Sequence, residues 1–446
     1  MENKHTLTDL YQMQALPLSA KIRMTKYRIM QWIEEYGEDG VYISFSGGKD
    51  STVLLDIVRQ DYPNIPAMFV DVPTQYPELK EFVKTFDNVE ILKPKISFMD
   101  VCKKYGFPMF SKEISSCIGE ARKYFENIEK GNNKNTILTD RQTDRQTDLP
   151  YAYRIADLVG IDRRKDKENP EYQKIKKGNI PNAPARTKQL LGIYKHRENG
   201  VDTDEYSKMY DRSKYIFMLD AKFACSDMCC KVMKKAPAHE YGKRTGRKAI
   251  TAQMASESKL RTTQWIKNGC NGFDMKTPIS NPMSFWTEQD VLLYIKLYGK
   301  DIVKRKINNN SDVMFYGNRI VDRKTGKTIE EQEFYNPICS VYGDVVIDYD
   351  AEGSVDGQMD LSELSADYGL FETGNRPLKT TGCNRTGCVL CGFGCHLEKP
   401  GEGRFERLKE THQGMYKLLD VIENNGVTYR EAIDWINEHG NMNIKY

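Results

Sequence analysis

The sequence predicts an α/β fold in which a parallel β-sheet carries helices on both faces. In the first hundred residues, apolar runs at 41–45, 64–71 and 89–92 alternate with helical patterns that begin near residue 50 and at Pro77. This alternation is typical of strand–helix–strand units, which form parallel sheets. Because ligands bind such sheets at the carboxyl ends of the strands, the segments that follow the apolar runs are candidate functional sites.

The composition is that of a globular protein with more than one domain. The chain has 446 residues, of which 39% are hydrophobic and 29% are charged, and its net charge is only +3. No apolar run approaches the ~18–20 residues that a membrane-spanning helix needs, and the N-terminus lacks the apolar core of a signal peptide. We therefore expect a cytoplasmic protein with no membrane partner, and the sequence leaves the oligomeric state open.

Further elements are predicted in order along the chain. Apolar residues recur at helical spacing over 18–37, and Gly37 ends this helix. A second clear helix is predicted over 284–298, with Thr287 as its N-cap and Asp290 three residues later in a capping box. We expect the other elements at these positions: a strand at 248–252, a small β unit at 333–349, and C-terminal helices at 402–423 and 427–438.

The hexapeptide Ser-Gly-Gly-Lys-Asp-Ser at 46–51 lies between the first predicted strand and a helix. Glycines let backbone N–H groups approach an anion, and a helix start adds positive dipole charge. The spacing is not that of a Walker A loop. An ordinary glycine turn is the alternative, but the flanking serines and lysine favour a phosphate site. The predicted nucleotide-binding residues are Ser44, Ser46, Gly47, Gly48, Lys49, Asp50, Ser51 and Asp71, of which Lys49, Asp50 and Asp71 are the predicted catalytic residues.

A basic stretch between Lys231 and Arg261 contains nine Lys or Arg residues and two Asp or Glu residues. This excess suits a substrate with several phosphate or sulfate charges, whereas a charged surface helix is the alternative. The predicted substrate-binding residues are Glu257, Ser258, Lys259, Arg261 and, from the C-terminal region, Arg385.

The cysteines form two groups that disulfides explain poorly in a reducing compartment. Cys383, Cys388, Cys391 and Cys395 have metal-ligand spacing and are surrounded by glycines, which fits either Zn²⁺ or an iron–sulfur cluster. The adjacent pair Cys229–Cys230 favours a [4Fe–4S] cluster, because neighbouring cysteines rarely bind one Zn²⁺. The predicted ligands are Cys230, Cys383, Cys388 and Cys391, with Cys229 and Cys395 as alternates and Zn²⁺ as the alternative metal.

Composition divides the chain into four segments. The polar insertion contains a near-repeat of Thr-Asp-Arg-Gln at 139–148, and its part at 163–198 has eleven Lys or Arg residues against four Asp or Glu residues. This basic part is either a solvated surface or an arm for nucleic acid. The predicted domains are a nucleotide-binding α/β segment at 1–126, the insertion at 127–212, a continuation of the α/β domain with the basic substrate segment at 213–300, and a cysteine-rich helical region at 301–446.

Together these motifs resemble the phosphoadenosine-phosphosulfate (PAPS) reductase family of the PP-loop, or adenine-nucleotide α-hydrolase, superfamily. The resemblance rests on loop 46–51, on Asp71 and Glu78 in VDVPTQYPE, on Ser256-Glu257-Ser258-x2-Arg261 and on PMSFWTEQDV at 282–291. Val72, Pro73, Ala252 and Met254 depart from the family pattern. The resemblance implies a PP-loop fold and ATP or a sulfonucleotide (APS or PAPS) as substrate, with Asp71 holding Mg²⁺ or ribose and Lys259 and Arg261 binding the far anion.

The cysteines are similar to the Cys-Cys and Cys-x-x-Cys ligands of adenylyl-sulfate reductases with a [4Fe–4S] cluster. Those enzymes also have a C-terminal cysteine nucleophile, whereas no cysteine follows Cys395 here. The resemblance thus implies adenylation-linked sulfur transfer or sulfonucleotide reduction, with a sulfur donor or an electron-transfer protein as partner. Two alternatives stay open: an enzyme that modifies nucleic acid, of the DNA phosphorothioation or tRNA thiolation type, and a non-catalytic nucleotide sensor.

Overall fold

The computed structural model describes residues 3–129, 183–198, 201–330, 332–349, 376–399, 401 and 403–446. The near-repeat at 139–148 and most of the basic segment at 163–198 lie outside these residues, so the predictions made for them are not tested. Within the described part of the chain, no helix is long and apolar enough to cross a membrane.

The helices of the described residues include the predicted ones, but the helix predicted over 284–298 is found at Glu288–Asn308, and the small β unit predicted at 333–349 contains helical turns before its strand Val345–Ile347. In chain order they are α1 (Leu7–Gln14), α2 (Leu18–Tyr36), α3 (Lys49–Asp61), α4 (Pro77–Lys84), α5 (Phe98–Tyr105), α6 (Lys112–Glu129), α7 (Ala185–Leu190), α8 (Ala236–Thr245), α9 (Lys259–Asn268), α10 (Glu288–Asn308), α11 (Gln332–Tyr335), α12 (Arg404–Thr411), α13 (Gln413–Tyr416) and α14 (Tyr429–Gly440). The helix predicted over 402–423 is thus divided, because the backbone at His412 leaves the helical conformation between α12 and α13.

The strands are short. In chain order they are β1 (Val41–Ser44), β2 (Ala67–Val70), β3 (Val89–Leu92), β4 (Met109–Phe110), β5 (Lys195–Glu198), β6 (Val201–Tyr206), β7 (Lys248–Ile250), β8 (Asn271–Gly272), β9 (Ile279–Ser280), β10 (Val313–Tyr316), β11 (Arg319–Asp322), β12 (Val345–Ile347), β13 (Leu378–Thr380), β14 (Gly392–Phe393), β15 (Glu423–Asn424) and β16 (Val427–Thr428).

The central sheet has six strands in the order β3-β2-β1-β7-β9-β8. All neighbours in this sheet run parallel except β8 and β9, which are antiparallel. Strand β1 is apolar and buried along most of its length, as expected for a strand with helices on both faces. The predicted α/β class with a mostly parallel sheet is therefore confirmed.

The chain folds as two compact units, each built from two stretches of sequence. The first unit contains 1–94 and 234–388, and the second contains 95–233 and 389–446. The central sheet belongs entirely to the first unit. The four-part division expected from composition stays a prediction.

Within the first unit, helix α10 begins as the sequence predicts. The Thr287 side chain accepts a hydrogen bond from the Asp290 N–H, and the Asp290 side chain accepts one from the Thr287 N–H at 2.7 Å. Asp290 also holds the ammonium of Lys21 through both carboxylate oxygens, each 2.7 Å from Nζ. The start of α10 is thus anchored to α2 inside the first unit.

The second unit has its own small parallel pair, β4 with β14. Its core includes Phe107 stacked on Tyr429, with ring centroids 4.7 Å apart. Gly106 has a φ of +95°, and a Cβ there would lie only 2.1 Å from the carbonyl oxygen of Ala224. Only glycine satisfies both the backbone angle and this close approach.

Candidate functional site

The loop at 46–51 connects the carboxyl end of β1 to the first turn of α3. The loop is held by its own serines: the hydroxyls of Ser46 and Ser51 lie 2.9 Å apart, and Ser51 donates to the Gly48 carbonyl oxygen at 2.9 Å. Gly47 has a φ of +71°, and a Cβ there would approach Leu79 to 2.9 Å. The loop therefore requires a glycine at this position.

Lys49 is the buried cation of this loop. Its side chain is 3% exposed, and its ammonium lies 2.9 Å from a carboxylate oxygen of Glu288 and 3.7 Å from one of Asp50. It also donates to the Asn384 carbonyl oxygen at 3.1 Å. Burial acts to lower the pKa of Lys49, but the two carboxylates outweigh burial and raise it. Lys49 therefore combines a raised pKa with a position at the start of a helix.

Asp50 follows Lys49 in the first turn of α3. Burial raises the pKa of this carboxyl group, and the charge of Glu288 adds to the effect, whereas Lys49 and Arg385 oppose it. Its Oδ1 atom is buried and makes no hydrogen bond within the described residues, and its ion-pair partner is the Lys49 ammonium 3.7 Å away. A buried carboxylate oxygen without a donor is costly unless a ligand or ion satisfies it.

The loop lies at one side of a cavity of about 1030 Å³ within the first unit. This volume is at the upper end of the range for ligand pockets, which is about 300–1,000 Å³. The polar groups that line it come from distant parts of the sequence and include Lys49, Asp50, Lys234, Arg261, Glu288 and Arg385. With Glu257, four cations and three carboxylates line this cavity, and the excess of cations fits a ligand with several negative charges.

Of the predicted substrate residues, the structure brings Glu257, Arg261 and Arg385 to this cavity. Arg261 forms an ion pair with Glu257, and its pKa is lowered by burial and by the nearby charge of Arg385. Ser258 instead caps helix α9, where its hydroxyl accepts from the Arg261 N–H at 3.3 Å. Lys259 is exposed and does not line the cavity.

A segment from the C-terminal part of the first unit packs directly against the loop. The buried hydroxyl of Tyr342 accepts from the Lys49 N–H at 3.2 Å and lies 2.8 Å from the Thr386 hydroxyl. A Cβ added at Gly48 would lie 3.3 Å from both hydroxyl oxygens. Gly48 therefore permits this close packing, and the segment that carries Arg385 lies against the loop at 46–51.

Asp71 and Ser44 occupy the expected end of the sheet but do not line the cavity. Asp71 follows β2 and holds the ammonium of Lys80, with 2.5 Å between Nζ and Oδ2. Ser44 is the last residue of β1. The binding and catalytic roles expected for these two residues stay predictions.

The predicted cysteine ligands are divided between the units. Cys383 and Cys388 belong to the first unit, whereas the second contains Cys391, Cys395, Cys229 and Cys230. In the described part of the chain, no three His, Cys, Asp or Glu side chains are grouped so that they could hold a metal ion. The predicted [4Fe–4S] cluster and its zinc alternative stay predictions.

Sequence reasoning missed Glu288 and Tyr342, the two side chains that contact Lys49 from other elements. Glu288 stands in the motif WTEQDV, so a carboxylate in the first turn of a predicted helix was the available signal. Tyr342 ends a short 3₁₀ turn, Ser340–Tyr342, and no local pattern distinguishes it from any other buried tyrosine.

Comparison with known proteins supports the interpretation of the loop. Residues 40–133 match the family model described as "Phosphoadenosine phosphosulfate reductase domain". This segment contains β1, the loop at 46–51, α3 and the next two strands of the sheet. A search of curated proteins found no match to the chain. Residues 40–133 are therefore similar to a PAPS reductase domain, and the match is consistent with the PAPS reductase family of the PP-loop superfamily that the motifs predicted.

Proposed function

We propose that the protein is an enzyme that binds ATP or a sulfonucleotide on the loop at 46–51. The position of the Lys49 side chain is the observation that best supports nucleotide binding. Its buried ammonium stands at a helix start and faces a cavity of about 1030 Å³ that Arg261 and Arg385 also line. A fixed cation in a partly dry site stabilises the charge that develops on phosphate oxygens during displacement.

Two reactions fit this arrangement. In adenylation, an acceptor oxygen attacks the α-phosphorus of ATP and pyrophosphate leaves; a sulfur donor then displaces AMP from the acceptor. In sulfonucleotide reduction, an electron-transfer protein supplies two electrons, the bond between the sulfur and the phosphate oxygen breaks, and sulfite is released together with AMP (from APS) or adenosine 3′,5′-bisphosphate (from PAPS). In both, Lys49 and the first amides of α3 would hold phosphates, and Arg261 with Arg385 would hold the far end of the ligand.

Mg²⁺ fits the site when ATP is the nucleotide. Proteins usually bind this ion through one or two carboxylates together with substrate phosphates. Asp50 offers a buried Oδ1 atom that makes no hydrogen bond within the described residues, and Glu288 lies beside the same lysine. Bound Mg²⁺ would neutralise phosphate charge. Asp71, which is paired with Lys80, is a weaker candidate for this role.

A separate proposal concerns the cysteines, and ligand spacing in the sequence supports it. We propose that Cys383, Cys388 and Cys391 bind a [4Fe–4S] cluster with Cys230 as the fourth ligand. Anaerobic purification followed by iron, sulfide and zinc analysis tests this, and Cys388→Ser should lose iron. If active protein contains one zinc ion and no iron, the cluster proposal is refuted and these cysteines form a zinc site.

The nucleotide proposal is tested by Lys49→Ala, with Lys26→Ala as the control because Lys26 pairs with Asp61 on the surface. Calorimetry should show loss of ATP and PAPS binding in Lys49→Ala only. Turnover should fall by about 10²–10³-fold, as when one preorganised charge contact is removed. AMP with pyrophosphate, or sulfite, identifies the reaction. Unchanged affinity for both nucleotides in Lys49→Ala would refute the proposal, and tight binding without products would indicate a sensor.

A further inference from the structure

The phosphate-binding groups of Lys49 are already occupied by oxygen atoms of the protein. The backbone N–H donates to Tyr342, and the ammonium contacts Glu288 and the Asn384 carbonyl oxygen. These are groups that a phosphate chain would use in a PP-loop site. A nucleotide must therefore compete with internal acceptors.

The two side-chain acceptors differ in how easily they can be displaced. Tyr342 is 2% exposed, and its hydroxyl also contacts Thr386. The Glu288 side chain is 47% exposed, and its backbone is held by the capping box of Thr287 and Asp290 rather than by its own carboxylate. Glu288 can therefore rotate away from Lys49 while α10 stays in place.

Displacement would leave two carboxylates close together in the cavity. Asp50 and Glu288 both lie within 4 Å of the Lys49 ammonium. When phosphate oxygens contact that ammonium instead, both carboxylates lose part of their positive countercharge. The Asp50 Oδ1 atom makes no hydrogen bond within the described residues, so the Lys49 ammonium 3.7 Å away is the charge that it would lose. A nucleotide that arrives without a cation adds further negative charge, whereas one that carries a divalent cation supplies the missing partner.

We propose that Glu288 is a specificity-determining residue: it occupies the phosphate position on Lys49 until a nucleotide displaces it, and it favours nucleotides complexed with a divalent cation. This inference rests on the proposed nucleotide-binding function. The preferred ligand class is then a nucleoside triphosphate complexed with a divalent cation rather than a metal-free nucleotide.

The test measures ATP affinity by calorimetry in Mg²⁺ and in EDTA, for the wild type, Glu288→Gln and Glu257→Gln. Glu257 is the matched control because it lines the same cavity but pairs with Arg261. The wild type should bind ATP more tightly in Mg²⁺. Glu288→Gln should bind metal-free ATP about fivefold more tightly and lose most of the Mg²⁺ preference, as expected for removal of one partly exposed charge. Glu257→Gln should keep the preference.

The outcomes separate this inference from the nucleotide proposal. Equal ATP affinity in Mg²⁺ and EDTA for the wild type, or an unchanged preference in Glu288→Gln, would overturn the role of Glu288 and leave nucleotide binding intact. A wild-type protein that binds ATP in neither buffer would overturn the role of Glu288, and failure to bind PAPS as well would overturn the nucleotide proposal. Circular dichroism of each variant confirms that the fold is retained.

Discussion

The ion pair of Lys21 with Asp290 determines how firmly helix α10, and therefore Glu288, is positioned in the first unit. Lys21 has no exposed side-chain surface, and burial lowers its pKa. Its ammonium donates to both oxygens of Asp290 at 2.7 Å. Asp290→Asn leaves the buried ammonium without a countercharge, which should cost about 3–5 kcal/mol of unfolding free energy.

Replacing Lys21, the other partner of the ion pair, should cost less unfolding free energy, because Asp290 has other hydrogen-bond donors. Its Oδ2 atom accepts from the Thr287 N–H at 2.7 Å and from the Thr287 hydroxyl at 2.8 Å. Lys21→Met should therefore cost about 1–3 kcal/mol. In the double variant, Asp290→Asn should add little to Lys21→Met, since no buried charge is left unpaired.

Urea denaturation followed by the fluorescence of Trp286 measures these changes. The indole of Trp286 is fully buried, and its N–H donates to Thr25 at 2.9 Å, one turn from Lys21 on α2. A cost below about 1 kcal/mol for both single variants, as for a surface ion pair, would refute the reasoning. Equal costs for the two single variants would show that the Thr287 bonds do not stabilise the carboxylate.

Two further predictions concern how Lys306 in the first unit and Gly106 in the second affect stability. Burial lowers the pKa of Lys306 to about 7, so between pH 7 and pH 10 the unfolded chain binds more protons at this residue than the folded chain. The unfolding free energy should therefore rise over this pH range in urea titrations, and Lys306→Met should reduce the rise; an unchanged slope would contradict the assignment. Gly106→Ala should cost about 2 kcal/mol or more, because its Cβ would meet Ala224. Gly246→Ala has a similar positive φ but open space around the added Cβ, so its thermal unfolding should change less, and equal losses would show that the contact with Ala224 is unimportant.

Features that depend on neighbouring residues could be predicted from the sequence. Each of these features is formed by residues only a few positions apart in sequence: the strand–helix junctions, the loop at 46–51 and the capping box at Thr287. Periods of two and 3.6 residues and the chemistry of glycine and N-caps are local properties. The fold class and the position of the loop at 46–51 followed from these local properties.

The partners of Lys49 were decided only by the tertiary structure. Tyr342 is 293 residues from Lys49 in sequence, and Glu288 reaches it from the start of another helix. Asp71 shows the converse: its place after β2 could be predicted, but its pairing with Lys80 instead of the cavity could not. Side chains far apart in sequence meet through the packing of helices and loops around the sheet. No local sequence pattern therefore predicts which of them will contact a buried charge such as the Lys49 ammonium.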